Sequence, residues 1–197
     1  MPRRSAAQVE LSRAATLDAA VRVASVVGLG GLTIGSLASE LGMSKSGLVG
    51  RFGSKEELQL ATLERAAEVF RQEVYDPAAS APPGRARLEA ICDAWIGYLA
   101  GPTFPGGCFM TTASVEFDAQ DGPIADAVRA FMRLWLRVLE DEARTAVAAG
   151  ELAGDPADIA FTLNALAVGT NCAFQLHRDE RALQRGRRAM AALLAGS

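Results

Sequence analysis

The sequence predicts an all-α protein of about nine helices, and three observations point to it. Of the 197 residues, 50% are hydrophobic but only 6% are aromatic, and the apolar residues are mostly alanine, leucine and valine, which suits helices. Apolar residues recur at helical spacing, and no stretch alternates apolar and polar residues as a strand does. Glycine and proline clusters separate these stretches, so the breaks between helices can be located.

The first three predicted helices form a compact N-terminal group. Residues 7–28 carry a broad apolar stripe and are expected to form one long helix. Two short helices follow near 33–40 and 44–51, separated by Gly42 at a position that favours left-handed backbone. Ser44 can cap the second of these short helices through its hydroxyl group. Two short helices joined by a tight turn form a helix-turn-helix, which makes DNA binding the leading function.

The third helix has one buried face and one outward face. Leu48 and Phe52 are expected to hold it against its neighbours, so that five other side chains face outward: Lys45, Ser46, Gly47, Val49 and Arg51. Gly47 and Gly50 each weaken a helix by about 1 kcal/mol relative to alanine. Two reasons for accepting them stay open at this point, close approach to a DNA backbone and packing against the first helix.

The remaining helices are delimited by caps and breaks. Ser54 and Glu57 have the spacing of a capping box, so a fourth helix is expected from Ser54 to about Tyr75. Its free N–H groups and Lys55 would suit a phosphate. Asp155 and Pro156 provide a cap and a first-turn proline for the eighth helix. The five later helices are expected near 84–100, 108–118, 123–149, 155–176 and 179–195.

The charge distribution favours one end of the chain for contact with DNA. The overall net charge is −3, which by itself disfavours a nucleic-acid-binding protein. However, residues 1–60 carry a net charge of +2 and the remainder carries −5. A basic head on an acidic body suits a protein that presents one end to DNA. Arg3 and Arg4 are either an arm that reaches phosphates or the minor groove, or a solvated terminus.

The cysteines and the hydropathy bear on location. Three scattered cysteines argue against a disulfide framework and fit a reducing cytoplasm. No apolar run reaches about 18 residues, so no membrane-spanning helix and no membrane partner are expected. The residues after Met1 lack the apolar core of a signal peptide.

Residues 11–65 resemble the N-terminal domain of the TetR (tetracycline-repressor-like) family of bacterial regulators. The resemblance rests on an ordered run from Thr33 to Glu57, with the segments Gly42-Met43-Ser44, Gly47-Leu48 and Arg51-Phe52-Gly53-Ser54-Lys55-Glu56-Glu57-Leu58. The rest of the chain agrees in length and helical character. Many relatives carry Leu-Tyr-x-His-Phe where this chain has Leu48-Val49-Gly50-Arg51-Phe52. Val49 can touch a thymine methyl group, and Arg51 can contact phosphate or guanine.

The resemblance implies a two-domain homodimer. Residues 1–53 would bind DNA, and residues 54–197 would bind a ligand and dimerise through a four-helix bundle of helices eight and nine. The protein would be a transcriptional repressor, released from a palindromic double-stranded DNA operator by an unidentified small molecule. Two heads would span major grooves about 34–36 Å apart. The DNA contacts are then expected from Thr33, Ser44, Lys45, Ser46, Gly47, Val49, Arg51 and Lys55.

The eighth helix carries the dimer hypothesis. Apolar residues lie on nearly every side of it, so one side can face its own core while the other needs a partner chain. A monomer with a thick core is the alternative. The residues expected at the dimer interface are Phe161, Ala165, Val168, Asn171, Cys172 and Gln175.

The resemblance also implies a ligand pocket, between helices four to eight. A mostly apolar cavity with a few polar groups is the usual form of such a site. The candidate lining residues are Trp95, Tyr98, Phe109, Phe117, Phe131, Trp135 and Asn164. For any single aromatic residue, packing in the core is the competing interpretation.

The sequence gives no support for catalysis. Cys108 is expected near a helix N-terminus, where a thiolate is favoured, so it is either a thiol sensor or a small buried apolar residue. The three cysteines and His177 lack metal-ligand spacing, and no nucleophile with an orienting base stands out. We therefore expect no enzyme activity, metal or cofactor. The competing function is a small-molecule or thiol-based sensor of the same fold that does not act by operator release.

Overall fold

The computed structural model describes residues 6–196, with side chains from residue 13 onward. These residues form nine helices and no strand, which confirms the all-α prediction. Arg3 and Arg4 lie outside the described residues. The helices are α1 (Ala6–Val27), α2 (Ile34–Leu41), α3 (Lys45–Phe52), α4 (Lys55–Phe70), α5 (Arg85–Ala100), α6 (Phe109–Glu116), α7 (Pro123–Ala148), α8 (Pro156–His177) and α9 (Arg181–Leu194).

The helix that begins with α4 changes its winding after Phe70. It continues through a π-helical turn (Arg71–Tyr75) into a short α-helical turn (Asp76–Ala78). Arg71 Nη1 donates to both carboxylate oxygens of Asp76, at 2.8 and 2.6 Å. This five-residue spacing matches the wider π turn. The sequence predicts the end of this helix to within a few residues, but nothing in it predicts the change of winding.

The chain forms two compact units. The N-terminal unit consists of the described residues up to Ala67 together with Phe104–Val128, and the C-terminal unit of Glu68–Thr103 with the described residues from Arg129 onward. The predicted domains, 1–53 and 54–197, did not foresee that residues 104–128 pack with the DNA-binding head. That packing depends on contacts between residues far apart in sequence, which local patterns do not encode.

In the N-terminal unit, a leucine core holds the first helices together. Five leucines of this unit are almost fully buried: Leu29, Leu32, Leu37, Leu48 and Leu58. The segment that contains α6 joins this core against α1. Gly106 lies so close to α1 that an added Cβ atom would overlap the carbonyl oxygen of Ser25. Glycine is therefore required there because the two backbones touch.

In the C-terminal unit, the aromatic ring of Phe70 is the centre of a cluster. Tyr98, Phe131 and Trp135 contact it edge-on, with ring centroids at 5.8, 5.8 and 4.9 Å. Edge-to-face pairs of this kind add about 0.5–1.5 kcal/mol to the energy of burial. This cluster anchors α5 and α7 to the residue that immediately precedes the π turn.

A buried carboxylate holds the start of α5. Glu142 is 9% exposed, accepts a hydrogen bond from Gly84 N at 2.8 Å and pairs with Arg87 at 3.1 Å. Arg87 also donates to the carbonyl oxygen of Ala81 at 2.8 Å. The charge suits the positive end of the α5 dipole. These contacts fix the connection between the α4 extension and α5.

Candidate nucleic-acid interface

The first helix of the helix-turn-helix is capped at both ends. Ser36 N donates to Thr33 Oγ1 at 2.9 Å, and Thr33 N donates to Ser36 Oγ at 3.0 Å, so both residues form a capping box. Gly42 ends α2 in the left-handed region, with φ 60°. This confirms the role predicted for Gly42. The Thr33 hydroxyl is thus engaged in the cap, and its contact with the DNA backbone stays a prediction.

α3 shows the predicted division into a buried and an exposed face. Gly47 N donates to the Ser44 hydroxyl at 3.2 Å, which confirms the cap. Leu48 is fully buried and Phe52 is 5% exposed. The exposed residues are Ser44, Lys45, Ser46, Gly47, Val49 and Gly50. Val49, an apolar residue, is 46% exposed, so the outward face of α3 has both polar and apolar groups available for a base-pair edge.

The structure removes one of the two reasons given for glycine on this face. A Cβ added at Gly50 would meet nothing within 4 Å, and one added at Gly47 would approach only the Ser44 hydroxyl, at 3.2 Å. Packing against α1 therefore does not explain either glycine. Close approach by an outside molecule is the explanation left by the sequence argument.

Two basic residues predicted to face DNA also make contacts within the unit. Arg51 Nη1 donates to Thr16 Oγ1 at 3.0 Å, and Arg51 is half-buried rather than fully outward. Lys55 Nζ donates to the carbonyl oxygen of Gly30 at 2.8 Å. Each side chain has further N–H donors, so these contacts tie α3 and α4 to α1 and to the loop after it without using every donor.

The capping box at the N-terminus of α4 brings a carboxylate to the predicted phosphate site. The Ser54–Glu57 capping box forms as expected, because Glu57 N donates to Ser54 Oγ at 3.1 Å. However, the Glu57 carboxylate accepts from Ser54 N at 2.9 Å, and Glu56 adds a second negative charge to the first turn. The capping box thus engages two N–H groups at this end, those of Ser54 and Glu57, and a phosphate contact by the remaining groups and Lys55 stays a prediction.

The C-terminal unit has a small apolar cavity among α5, α7, α8 and α9. It encloses about 20 Å³ and is lined by Ile91, Cys92, Trp95, Trp135, Leu139, Leu163, Asn164, Ala167 and Met190. Burial and the neighbouring Asp93 and Glu89 carboxylates raise the pKa of Cys92 from 9.0 to about 12, so its thiol is neutral at pH 7. The side chains that line the cavity are therefore neutral, and one of them, Asn164, carries an amide group.

Only some of the predicted ligand residues meet at this cavity. Trp95, Trp135 and Asn164 line it. Tyr98 and Phe131 contact Phe70 in the same unit. The expectation fails for two residues, Phe109 and Phe117, which are buried in the N-terminal unit. Their positions in the sequence suggested the C-terminal domain, but residues 104–128 pack in the N-terminal unit.

An exposed apolar stripe runs along α8. Phe161 is 68% exposed and Leu176 is 77% exposed. The stripe consists of Phe161, Ala165, Gly169, Cys172 and Leu176, all exposed and on one side of the helix. Of the other predicted interface residues, Val168 and Gln175 are half-buried beside the stripe. Asn171 is 4% exposed and lies inside its own unit, so this structure does not support its prediction as an interface residue.

Two family models match the chain. Residues 17–62 match the model described as bacterial regulatory proteins, tetR family, and residues 84–190 match the model described as tetracyclin repressor-like, C-terminal domain. The second match alone covers more than half of the chain. No curated protein matches.

Solved structures share the fold over nearly the whole chain. A TetR transcriptional regulator from Chloroflexus aurantiacus J-10-FL is 24% identical, with 93% of each chain covered and a TM-score of 0.84. The reduced form of NemR from E. coli is 19% identical, with 92% and 96% covered and a TM-score of 0.77. AibR in complex with isovaleryl coenzyme A and operator DNA is 19% identical, with 92% and 97% covered and a TM-score of 0.72.

A helix-turn-helix unit followed by a larger helical unit defines the class of the protein, a DNA-binding transcriptional regulator. The matches make the assignment specific. The chain belongs to the TetR family of bacterial regulatory proteins.

Proposed function

We propose that this regulator is a cytoplasmic repressor that binds a palindromic operator as a homodimer and leaves it when a small molecule binds the C-terminal unit. One observation carries the DNA-binding part. α3 is capped at its start, is held by Leu48 and Phe52, and has an exposed glycine, Gly50, with open space beside it. A helix built this way is held in place on one face and lets a backbone come close on the other. A site of this kind fits a major groove.

Two glycine substitutions test this proposal. Gly50→Ala should stabilise the fold by about 0.5–1 kcal/mol, because alanine favours a helix and the space is open. The same change should weaken operator binding, since the added methyl group stands on the proposed DNA face. Gly97→Ala in α5 is the matched control, because Gly97 is exposed, helical and equally open. Thermal melts and gel shifts with the upstream DNA measure both quantities.

The control should gain stability and keep its affinity for DNA. If Gly50→Ala also kept full affinity, α3 would not approach DNA closely at that position, and the proposed interface would be wrong. A chain that shifted no specific DNA at modest salt would favour the competing sensor function.

A second copy of the chain is the proposed partner of the α8 stripe. A groove of about 430 Å³ lies between α8 and α9 beside the stripe, and most of its lining residues are alanine or glycine, among them Ala165, Gly169 and Gly186. Small residues let helices approach closely.

By length and composition α8 could also cross a membrane, contrary to the prediction from run length. We favour the dimer because α8 carries the exposed charge of Asp158 near its start and packs its other face in the unit.

The proposed effector is a small neutral molecule. The cavity lining contains no charged side chain, so an anionic group would lose hydration without gaining a partner there. At about 20 Å³ the cavity must open for any effector larger than water, which requires side chains such as Met190 to move. AibR, a structural neighbour, was solved with a coenzyme A thioester, and that comparison supports only the general idea of a ligand in the body.

Intrinsic fluorescence can test this cavity. The chain has two tryptophans, Trp95 and Trp135, and both line the cavity. A neutral aromatic effector should therefore change the emission and release operator DNA over the same concentration range. The carboxylate analogue of the same compound should do neither. Release without any change in emission would place the effector site elsewhere.

A thiol sensor of the same fold is the second candidate. Cys108 precedes α6 at its N-terminus, as expected, but it is only 2% exposed. Burial limits access for an oxidant or electrophile. The single variant Cys108→Ala should keep effector release if the small-molecule mechanism is right. We propose no enzymatic activity, cofactor or metal for this protein.

A further inference from the structure

Glu116, the last residue of α6, reaches the loop that joins α1 to α2. Its Oε2 atom accepts a hydrogen bond from Leu29 N at 2.8 Å, and its Oε1 atom accepts one from Gly30 N at 2.7 Å. Each carboxylate oxygen thus binds one of two consecutive backbone N–H groups. Charge-assisted hydrogen bonds of this kind are strong and directional, so Glu116 fixes the course of this loop.

α4 holds the same loop through its carbonyl groups. Lys55 Nζ donates to Gly30 O at 2.8 Å, and the buried side chain of Gln59 donates to Leu29 O at 2.6 Å. The loop leads directly to Thr33, the N-cap of α2. Its position therefore sets where the helix-turn-helix begins.

The fit between Glu116 and the loop is close. A Cβ atom added at Gly30 would lie 2.5 Å from Oε1 of Glu116, and one added at Gly28 would lie 2.9 Å from Oε2. At the other end of the same segment, Gly106 N lies 3.4 Å from Ser25 Oγ and packs on the Ser25 carbonyl. Residues 104–116 are thus attached at both ends to the last turn of α1 and the loop after it.

We propose that Glu116 is a positioning residue for DNA recognition, through which residues 104–128 control the α1–α2 loop. This segment is joined to the C-terminal unit by peptide bonds at both of its ends. Within the N-terminal unit, the Glu116 carboxylate thus sets the course of the backbone that leads to Thr33 at the start of α2. The inference rests on the proposed operator binding.

The test compares Glu116→Gln with Asp118→Asn. The glutamine keeps one acceptor oxygen but presents an NH₂ donor to the second N–H group, so one hydrogen bond is lost. Asp118 is exposed on the same segment, and its substitution removes the same charge. We expect Glu116→Gln to weaken operator binding about tenfold, within the usual range of coupling between sites. Amide exchange at Leu29 and Gly30, measured by NMR, should accelerate by a similar factor. Asp118→Asn should change neither.

Each outcome separates this inference from the proposed function. If the wild-type protein binds its operator and Glu116→Gln binds equally well, the positioning role is overturned and the DNA-binding function stands. A lower melting temperature with unchanged affinity and unchanged exchange would likewise leave Glu116 a purely structural residue and overturn the proposal. If the wild-type protein binds no specific DNA, both fall together.

A double-mutant cycle keeps the proposal testable if Glu116→Gln folds poorly. Gly30→Ala should weaken operator binding in the wild-type background because its methyl group would collide with Oε1 of Glu116. Among the described residues, apart from the chain neighbours of Gly30, only that carboxylate comes within 4 Å of the added atom. In a Glu116→Ala background the same change should have less than a twofold further effect. Additive losses would show that the two residues do not act through each other, and would overturn the proposal.

Discussion

Lys45 and Lys55 show how two similar residues of the interface differ. Lys45 is exposed at the start of α3, and its amino group makes no hydrogen bond in the part of the chain described from residue 13 onward. Lys55 is also exposed, but its amino group is bound to Gly30 O. Both residue types fit a phosphate contact. Sequence alone predicts the same role for both and does not reveal that one of them also holds the loop.

This difference can be measured through the salt dependence of binding. Lys55→Ala should weaken binding to all DNA sequences and lower the slope of log K against log salt by about 1, if Lys55 neutralises a phosphate. Lys45→Ala should lower the slope similarly. An affinity loss for Lys55→Ala with an unchanged slope would mean that Lys55 acts only by holding the loop. Fluorescence anisotropy over a salt series provides both numbers.

Among the elements, α8 has the clearest consequence for assembly. Its exposed stripe is self-complementary about a point between Val168 and Gly169. In an antiparallel pair of these helices, Phe161 would lie opposite the partner's Leu176, and Ala165 opposite the partner's Cys172. In this register Asp158 would lie opposite the partner's Asp179 and beside the partner's Arg178, so the end charges do not distinguish an antiparallel from a parallel pair. The antiparallel pairing also gives the twofold symmetry that a palindromic operator requires.

Disulfide cross-linking tests this register. With Ala165→Cys, mild oxidation should give a covalent dimer, because the new thiol lies opposite the partner's Cys172. Ala165→Cys combined with Cys172→Ser should give little cross-linking, and so should the wild-type chain, whose Cys172 residues lie two turns apart in this register. Efficient cross-linking of the wild-type chain through Cys172 would contradict the antiparallel register. Denaturing gels without reductant report the outcome, and Cys92 and Cys108 are internal controls.

At the level of elements, the sequence predicted where the helices begin and end better than it predicted which of their faces are buried. The caps formed by Thr33, Ser44 and Ser54 and the left-handed Gly42 follow from local chemistry, and the structure contains them. The π turn after Phe70 has no local signal in the sequence, and Phe70 and Val74 are both buried there. The burial of Asn171 was missed for a related reason, because helical spacing locates a face but not what covers it.

At the scale of the whole molecule, the two units are interleaved along the chain. The N-terminal unit receives residues 104–128 from the middle of the sequence, and Glu116 is the residue whose side chain reaches across 86 and 87 positions to the α1–α2 loop. A simple division into head and body would have assigned this segment to effector binding. The structure instead groups it with the N-terminal unit, where Glu116 binds the loop that leads to α2.

The amino-acid sequence by itself determined the helices, their caps and the identity of the helix-turn-helix, because these depend on hydrogen bonds and apolar spacing over three to eight residues. It also predicted Trp95, Trp135 and Asn164, which meet at one cavity. Only the tertiary structure decided that Phe109 and Phe117 belong to the head, that Arg51 and Lys55 are bound internally, and that Glu116 holds the loop. Those outcomes depend on contacts between distant residues, whose energies arise only when the helices have packed.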